Sequence, residues 1–325
     1  MNFATIGTGW ITDLFIESAI KTEMELVSVY SRSEEKARSF AQKHKAQHYF
    51  THLPEMLADD DIDFIYIASP NSLHYEHILQ CIDYEKHVFC EKPLVINEKQ
   101  WQEVQQRAKS AGVFVCEGYR HLYTPNYSKL KQTLSQVGEI RSVLLPFAQY
   151  SSRYDAFKRG ERPNVFTKDF AGGVLMDLGV YPLSMAIDLF DEPEDIHYYP
   201  VLLENGIDGS GTLIMDYGTF QVTILCSKIT HSDAPSEIHG EAGTLKMDHM
   251  ANMQSLQLFD RPNKKVIDLT QNTVAFDMRY ELEAFKQMVG NQAYEKHDSW
   301  LNRSRKVAKW SEKARKSVGI LFPGD

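Results

Sequence analysis

The stretch MNFATIGTGWIT, residues 1–12, decides the fold class of this chain. A short apolar run, Phe3–Ile6, leads directly into a Gly-x-Gly turn, and the amphipathic stretch Ile11–Ile20 follows it. In such a turn Gly7 permits a tight bend and Gly9 lets the backbone approach a pyrophosphate. The N-terminus of the following helix adds free N–H groups and a partial positive charge. The stretch therefore predicts a strand, a phosphate-binding turn and a helix, which together open a dinucleotide-binding domain.

The same alternation of short apolar runs and amphipathic stretches continues to about residue 120. Short runs that are apolar on both faces and separated by helices are typical of βαβ units in a parallel sheet. We therefore predict an α/β, doubly wound Rossmann domain over residues 1–120. The later predicted strands are Leu26–Ser31, Gln47–Phe50, Phe64–Ser69, His87–Cys90 and Val113–Glu117, and the later predicted helices are Glu34–His44, Leu73–Tyr84 and Glu98–Ser110.

The pattern changes after residue 120. Longer β-type runs follow, several joined by short turns such as Tyr217-Gly218, which favours antiparallel pairing. We predict that residues 121–325 form an α+β domain with a large, mostly antiparallel, open-faced sheet that binds substrate and mediates oligomerisation. The predicted strands are Ile140–Tyr150, Ile196–Glu204, Gly211–Asp216, Phe220–Ser227 and Ser236–His239, and the predicted helices are Pro125–Gln136, Gly173–Phe190, Glu281–Met288 and Arg303–Ser317.

Length, charge and cysteine content restrict the class of protein. At 325 residues the chain suits two domains, and its net charge of −9 argues against nucleic acid and anionic membranes as partners. The four cysteines, Cys81, Cys90, Cys116 and Cys226, form no CxxC pair, so we expect buried thiols rather than disulfides or a metal site. We recognise neither a signal-peptide pattern nor an apolar run of membrane length, and expect a cytoplasmic protein.

The end of the second predicted strand bears on the choice between NADP and NAD. Ser31 stands where NAD-preferring proteins carry an acidic residue on the adenosine ribose. Since no carboxylate repels a 2′-phosphate there, Ser31 and Arg32 can bind one, which favours NADP. The alternative is NAD, with Arg32 stacked on the adenine or facing solvent. Thr12 replaces the third Gly or Ala of the turn motif, from which we expect slightly looser helix–sheet packing.

Two further strand ends carry polar residues where parallel sheets bind ligands. The segment Ser69–Asn71 leaves one strand, with His74 on the next helix, and Glu91–Pro93 leaves the following strand, where the proline is compatible with a cis peptide after Lys92. His74 and His77 have a spacing that invites a metal, but no third ligand is apparent, so we expect none. The predicted cofactor contacts are Gly7, Thr8, Gly9, Trp10, Ile11, Ser31, Arg32, Ser69, Pro70, Asn71, His74, Glu91 and Lys92.

Three segments resemble the Gfo/Idh/MocA family of glucose–fructose oxidoreductase and inositol dehydrogenase. They are IGTGW at residues 6–10, YIASPNSLHYEHILQCIDYEKHVFCEKP at 66–93 and GGVLMDLGVYP at 172–182. The resemblance covers nearly the whole chain. It implies an NAD(P)-dependent dehydrogenase that moves a hydride between the nicotinamide and a hydroxyl or carbonyl carbon of a sugar, polyol or trans-dihydrodiol.

The resemblance also implies that Lys92, Asp177 and Tyr181 are the catalytic residues. Many members of the family carry a histidine where Tyr181 stands. The tyrosine form is similar to the branch that contains dimeric dihydrodiol dehydrogenase, and this departure weakens an assignment to inositol-type substrates.

Elementary chemistry agrees with these roles. Hydride addition to a carbonyl builds negative charge on its oxygen, which a fixed ammonium stabilises and a phenol protonates. An ammonium beside a phenol favours the phenolate, so Lys92 would make Tyr181 a better acid–base group. We predict that Lys92 polarises the substrate oxygen, that Tyr181 relays the proton, and that Asp177, four residues earlier on the same helical face, orients Lys92 or a substrate hydroxyl. Which of Lys92 and Tyr181 is the immediate acid stays open.

Several residues also have a plain structural interpretation. Tyr181 can be a core aromatic and Asp177 a buried capping or ion-pair residue. Arg120 and His121 are predicted either to bind substrate or to support the fold. The polar stretch Ser151–Phe170 is predicted to be a solvated loop or a loop near the site.

The chain as a whole has alternatives too. One is an NAD-dependent glycosidase or lyase with transient hydride transfer, and another is a non-catalytic NAD(P)-binding sensor. We expect a small-molecule substrate and a homodimer or homotetramer formed through the sheet of the second domain, because the exposed face of such a sheet needs a partner.

Overall fold

The computed structural model describes residues 1–274 and 278–325, and their packing divides them into two units. The first unit contains residues 1–118 and 278–305, and the second contains 119–274 and 306–325. The stretch 278–305 differs from the sequence analysis, which assigned everything after residue 120 to the second domain. The physical reason is apolar burial, because Phe285 packs on Phe64 and Phe89 of the first unit with ring centroids 5.1 and 5.3 Å away.

The first unit is built on six parallel strands, which confirms the predicted Rossmann sheet. The strands are β1 (Asn2–Ile6), β2 (Glu25–Tyr30), β3 (His48–Phe50), β4 (Phe64–Ile67), β5 (His87–Glu91) and β6 (Val115–Gly118), in the order β3-β2-β1-β4-β5-β6 across the sheet. The helices between them are α1 (Trp10–Lys21), α2 (Glu34–His44), α3 (Leu53–Leu57), α4 (Asn71–Asp83) and α5 (Glu98–Ala111). The reversal of strand order beside β1 is where such sheets bind their ligands.

Aromatic side chains fill the core of the first unit. The ring of Phe15 on α1 stacks on Tyr66 of β4 with centroids 3.5 Å apart, and meets the ring of Phe3 on β1 edge-on at 5.6 Å. All three side chains are fully buried, and burial of each stabilises the fold by roughly 1.5–3 kcal/mol. This packing holds α1 across the strands and so places its N-terminus beside the end of β1.

The second unit is built on a mixed, mostly antiparallel sheet of eight strands, as predicted. The strands are β7 (Ile140–Ala148), β8 (Asp195–Leu202), β9 (Asp208–Asp216), β10 (Gln221–Ser227), β11 (Ser236–Gly240), β12 (Gly243–Met247), β13 (Leu256–Asp260) and β14 (Lys265–Asp268). Their order is β14-β13-β12-β11-β7-β10-β9-β8, and only β7 and β10 pair in parallel among the described strands. The sequence analysis missed β12 to β14, which are short, and every residue of β14 is exposed, so no apolar alternation marks it.

The helices of the second unit are α6 (Pro125–Thr133), α7 (Tyr154–Lys158) and α8 (Val180–Phe190). As predicted, Thr124 caps α6, since its hydroxyl accepts a hydrogen bond from the Tyr127 amide at 3.2 Å. The chain closes with α9 (Arg279–Gly290) and α10 (Tyr294–Ser317), of which α9 and α10 up to Arg305 belong to the first unit.

The predicted helix Gly173–Phe190 consists of two parts. Leu175–Gly179 forms a π-helical turn, and α8 begins after it. The first amide of the π turn donates to the buried carboxylate of Asp208 at 2.9 Å. Because a π turn changes the angular register, a shared face for Asp177 and Tyr181 no longer follows from α-helical spacing.

The sheet of the second unit is open on one face. The π turn and α8 pack against β7 and β10 on the other face. On the open face, the neighbouring strands β7 and β10 expose Leu144 and Leu225, and β8, beyond β9, exposes Tyr199. In the described part of the chain, no helix combines the length and the apolar character required to cross a membrane.

All four cysteines are buried and carry free thiols. Burial raises the pKa of each thiol above its ordinary value, which disfavours the nucleophilic thiolate.

Gly173→Ala is expected to lower the free energy of unfolding by about 3 kcal/mol. Its backbone has a φ of +98°, and an added methyl group would overlap with Oδ1 of Asp208. Gly160→Ala is the matched control, because Gly160 also has a positive φ, +85°, but no described atom lies within 4 Å of the new methyl position. We expect a loss of about 1 kcal/mol there. Urea unfolding measures both, and equal losses would contradict the steric account.

Candidate active site

The glycine turn after β1 leaves room for phosphate groups. Gly7 has a φ of +119°, and a Cβ at this position would lie 2.6 Å from the carbonyl oxygen of Ala68, so only glycine fits. Gly9 is the N-cap residue of α1, no side chain caps the helix there, and no described atom lies within 4 Å of its missing Cβ. The first amides of α1 therefore lie beside open space, which suits the pyrophosphate of a dinucleotide.

The residues that follow the turn differ in exposure. Trp10 and Ile11 begin α1, and the Trp10 side chain is 69% exposed. Thr12 is fully buried, and its hydroxyl has no hydrogen-bond partner among the described residues. The core thus encloses its methyl and hydroxyl groups, and the looser packing expected from Thr12 stays a prediction.

The predicted ribose-phosphate residues follow β2 in a turn that leads into α2. The Ser31 hydroxyl accepts a hydrogen bond from the Ser33 amide at 3.3 Å, and the Ser33 hydroxyl in turn caps α2 at the Lys36 amide. Arg32 between them is exposed. Ser31 keeps its own proton for donation to a ligand, and Arg32 is accessible to an anion.

His77 of α4 supports the loop that follows β4. Its Nδ1 lies 2.9 Å from the hydroxyl oxygen of Ser69, one of the predicted cofactor contacts. Burial and, to a smaller extent, the charges of His74 and Arg32 together lower the pKa of His77 to about 4. The ring is therefore neutral at physiological pH and keeps one nitrogen as a hydrogen-bond acceptor.

His74 links the loops after β4 and β5. It is 1% exposed, with its Nε2 2.8 Å from the Ser69 carbonyl oxygen and its Nδ1 2.8 Å from the Pro93 carbonyl oxygen. Burial lowers the pKa of His74, and the charge of Lys92 lowers it further. Both ring nitrogens face backbone carbonyls, which favours a positioning role for His74, and its predicted cofactor contact stays a prediction.

The segment after β5 is anchored in the core by carboxylates. The Tyr66 hydroxyl donates to Oε1 of Glu91 at 2.8 Å, and the Leu94 amide donates to Oε1 of Glu117 at 2.7 Å. Burial raises the pKa of Tyr66, and so does the carboxylate of Glu91. Glu91 itself is buried and its Oε1 binds the Tyr66 hydroxyl, so its predicted cofactor contact stays a prediction.

Lys92 lies between these anchors and is half-buried. The Lys92–Pro93 peptide bond is cis, which the sequence allowed for. Since β1, β4 and β5 are neighbours in the sheet, the glycine turn, the Ser69–Asn71 loop and Lys92 lie at one edge of the first unit. The strand order is consistent with one ligand site at this edge, which stays a prediction.

In the second unit, Asp177 forms an ion pair with Lys228, whose ammonium donates to Oδ2 of the carboxylate. The Lys228 side chain is 4% exposed and that of Asp177 is 28% exposed. The buried member of the pair is thus the cation, and the carboxylate extends towards solvent. Sequence reasoning missed Lys228, which follows an apolar strand without any motif to mark it.

Tyr181, at the start of α8, lies in a group of aromatic rings. The ring centroids of His121, Phe147 and Tyr119 are 5.1, 5.6 and 6.3 Å from that of Tyr181. The side chain of Tyr181 is nevertheless only half-buried. The surrounding rings therefore fix its orientation while part of it stays accessible.

The His121 ring contacts the backbone carbonyl of Tyr181. It is 1% exposed, and its Nε2 lies 3.1 Å from the Tyr181 carbonyl oxygen and 3.3 Å from the Ser184 hydroxyl. This favours the structural interpretation of His121 over the predicted substrate contact. Arg120 is half-buried, and its charge is one cause of the lowered pKa of His249, after burial and against the opposing charge of Asp248.

Lys92 belongs to the first unit, whereas Asp177 and Tyr181 belong to the second. Their combination in one catalytic centre therefore remains a prediction. Among residues 1–274 and 278–325, no cluster of three His, Cys, Asp or Glu side chains is arranged to hold a metal ion.

His77→Gln is expected to reduce the pH dependence of stability between about pH 7.5 and about pH 5. The folded chain keeps His77 neutral down to about pH 4, whereas the unfolded chain takes up a proton below about 6.5, so acid favours unfolding. Thermal unfolding midpoints at the two pH values measure the effect. His52→Gln, at an exposed histidine, is the control and should retain the wild-type pH dependence. An unchanged pH dependence in His77→Gln would contradict the argument.

Comparison with known proteins places the chain in a family. The Gfo/Idh/MocA model, described as an oxidoreductase family with an NAD-binding Rossmann fold, matches residues 1–119, and the model of the family's C-terminal domain matches residues 127–246. The chain is 40% identical to the scyllo-inositol 2-dehydrogenase (NADP(+)) IolU of Bacillus subtilis, over 100% of this chain and 99% of that one. It is 28% identical to the trans-1,2-dihydrobenzene-1,2-diol dehydrogenase of Xenopus tropicalis, over 92% and 91% of the two chains.

A solved structure with the same fold is KijD10, a 3-ketoreductase from Actinomadura kijaniata in complex with NADP and TDP-benzene. It superimposes with a TM-score of 0.82 at 20% identity and 97% coverage of both chains. Two matching domain models and a relative of 40% identity over the full length establish the family. The chain therefore belongs to the Gfo/Idh/MocA family and is an NAD(P)-dependent oxidoreductase.

Proposed function

We propose that this enzyme transfers a hydride between the nicotinamide of NADP and a hydroxyl-bearing carbon of a polyol, sugar or trans-dihydrodiol. The observation that carries the proposal is the placement of Lys92 at the same sheet edge as the glycine turn, in a loop held by His74. The names of the relatives support the substrate class, since one acts on scyllo-inositol and another on a trans-dihydrodiol. The similarity to IolU goes against the expectation that Tyr181 disfavours inositol-type substrates.

The bound nicotinamide supplies or accepts the hydride, and the side chains manage the charge and the proton. In the reductive direction, the Lys92 ammonium stabilises the negative charge that grows on the substrate oxygen. Tyr181 donates the proton that this oxygen takes up, or passes it on from Lys92. The exposed part of the Asp177 carboxylate accepts a hydrogen bond from a neighbouring substrate hydroxyl. The carbonyl, the hydride and the proton together give the alcohol.

The cofactor preference rests on the turn after β2. A 2′-phosphate carries negative charge that the Arg32 guanidinium can bind and that no carboxylate at position 31 repels. The relative named as an NADP(+) enzyme supports the same preference.

For the assembly, we propose a homodimer or homotetramer formed through the second unit. Its sheet exposes Leu144, Leu225 and Tyr199 on one face, on strands β7, β10 and β8. Apolar side chains in contiguous positions on an open sheet face are typical of subunit interfaces.

Lys92→Met is expected to lower kcat by about 100- to 10,000-fold, and Tyr181→Phe by about 10- to 1,000-fold, because each removes a group that acts on the developing oxyanion. Nicotinamide absorbance measures turnover on a panel of polyols, sugars and diols, and fluorescence titration measures the Kd for NADPH, which should be unchanged. Lys99→Met and Tyr84→Phe, at exposed positions, are the controls and should retain activity. Turnover without any net change in cofactor, or full activity in Lys92→Met, would contradict the proposal.

Ser31→Asp is expected to shift the preference from NADP towards NAD by about 10- to 100-fold, because a carboxylate there repels the 2′-phosphate and accepts hydrogen bonds from the ribose hydroxyls. The ratio of kcat/KM for the two cofactors measures the shift. Ser39→Asp on the exposed side of α2 controls for the added charge and should leave the ratio unchanged. If Ser31→Asp keeps the wild-type ratio, the assignment of Ser31 is wrong.

A further inference from the structure

The ion pair between Lys228 and Asp177 places a buried cation beside the Asp177 carboxylate, which is predicted to bind substrate. The backbone of Lys228 is fixed on both sides, since its amide donates to the Gly209 carbonyl at 2.8 Å and its carbonyl accepts from the Ser151 amide at 2.9 Å. Because Lys228 follows β10 directly, these bonds continue the strand pairing on either side of it. The side chain therefore starts from a rigid position.

The surroundings of the Lys228 ammonium leave it dependent on carboxylates. The ring of Phe166, which is fully buried, lies with its centroid 5.2 Å from the ammonium nitrogen. Asp177 is its direct partner, and the buried carboxylate of Asp208 feels its charge as well. An ammonium removed from water needs such partners, since burial of an unpaired charge is strongly unfavourable.

Asp208 is already engaged by other groups. Its Oδ2 accepts hydrogen bonds from the Tyr198 hydroxyl at 2.6 Å and from the Leu175 amide at 2.9 Å. The latter bond fixes the start of the π turn, while Lys228 fixes Asp177 within it. The π turn is thus held at two points by groups that sequence reasoning did not assign.

The two members of the ion pair, Lys228 and Asp177, differ in exposure to solvent. Lys228 is enclosed, whereas the Asp177 carboxylate is partly exposed, so a ligand can reach Asp177 but not the ammonium. A carboxylate held by a cation on its inner side keeps a fixed orientation. Its remaining lone pairs then accept hydrogen bonds from an incoming hydroxyl group.

We propose that Lys228 is a positioning residue of the substrate site, which acts through Asp177 by holding its carboxylate turned towards a substrate hydroxyl. The inference rests on the proposed function, because it requires that Asp177 contacts the substrate. A role through Asp177 differs from a purely structural role in one measurable way. If Lys228 acts through Asp177, replacing Lys228 has no further effect on catalysis once the Asp177 carboxylate is removed.

A double-mutant cycle of Lys228→Met and Asp177→Asn tests this. Lys228→Met should lower kcat/KM for the substrate by about 10- to 100-fold, the value of a hydrogen bond to a charged group, with an unchanged Kd for NADPH. Lys228→Arg, which keeps the charge, should recover part of the loss. The double variant should be no slower than the slower single variant. Lys99→Met is the matched control and should behave as wild type.

The outcomes separate the two proposals. If the wild-type enzyme is active and the two losses multiply in the double variant, Lys228 does not act through Asp177 and the inference is overturned while the proposed function stands. If the wild type turns over no polyol, sugar or diol with either cofactor, the proposed function fails and the inference fails with it. Should Lys228→Met not fold, Lys228→Gln, which keeps a hydrogen-bond donor without charge, takes its place in the same cycle.

Discussion

The buried imidazole of His74 is the constraint on which the site of the first unit depends. Its two nitrogens face the carbonyl oxygens of Ser69 and Pro93, so one ring ties the loop after β4 to the loop that carries Lys92. A neutral imidazole has one N–H and can donate to only one of these oxygens, whereas an imidazolium satisfies both. Burial and the charge of Lys92 disfavour the imidazolium and lower the pKa of His74.

In the second unit, an ion pair and a group of aromatic rings hold the predicted catalytic residues in place. The Lys228 ammonium is buried and forms an ion pair with Asp177. The Asp177 carboxylate is the member of the pair that remains accessible to ligands. Tyr181 is enclosed by rings on several sides and supported through its backbone by His121. In both units, a buried polar side chain that touches no ligand holds the residue to which chemistry is assigned. Rigid support of this kind keeps reactive groups within the small tolerances that catalysis requires.

Much of the first unit could be predicted because its signals are local. The glycine turn, the short apolar strands and the polar strand ends each occupy a few consecutive residues, and parallel topology brings the strand ends together. The later strands β12 to β14 were not predicted, because each has only four or five residues, and β14 is exposed throughout and lacks apolar alternation. The π turn around Asp177 was also missed, since its sequence reads as a regular helix. Its first residue, Leu175, donates a hydrogen bond to Asp208, thirty-three residues further along the chain.

The sequence by itself determined the fold class, the dinucleotide turn at Gly7 and Gly9, and the segment that presents Lys92, because these depend on backbone freedom and on contacts close along the chain. Only the tertiary structure decided that His74 is a clamp, that residues 278–305 pack with the first unit, and that Lys228 stands behind Asp177. These features come from contacts between residues distant in sequence, where burial decides which polar groups must pair and no local pattern records the partner.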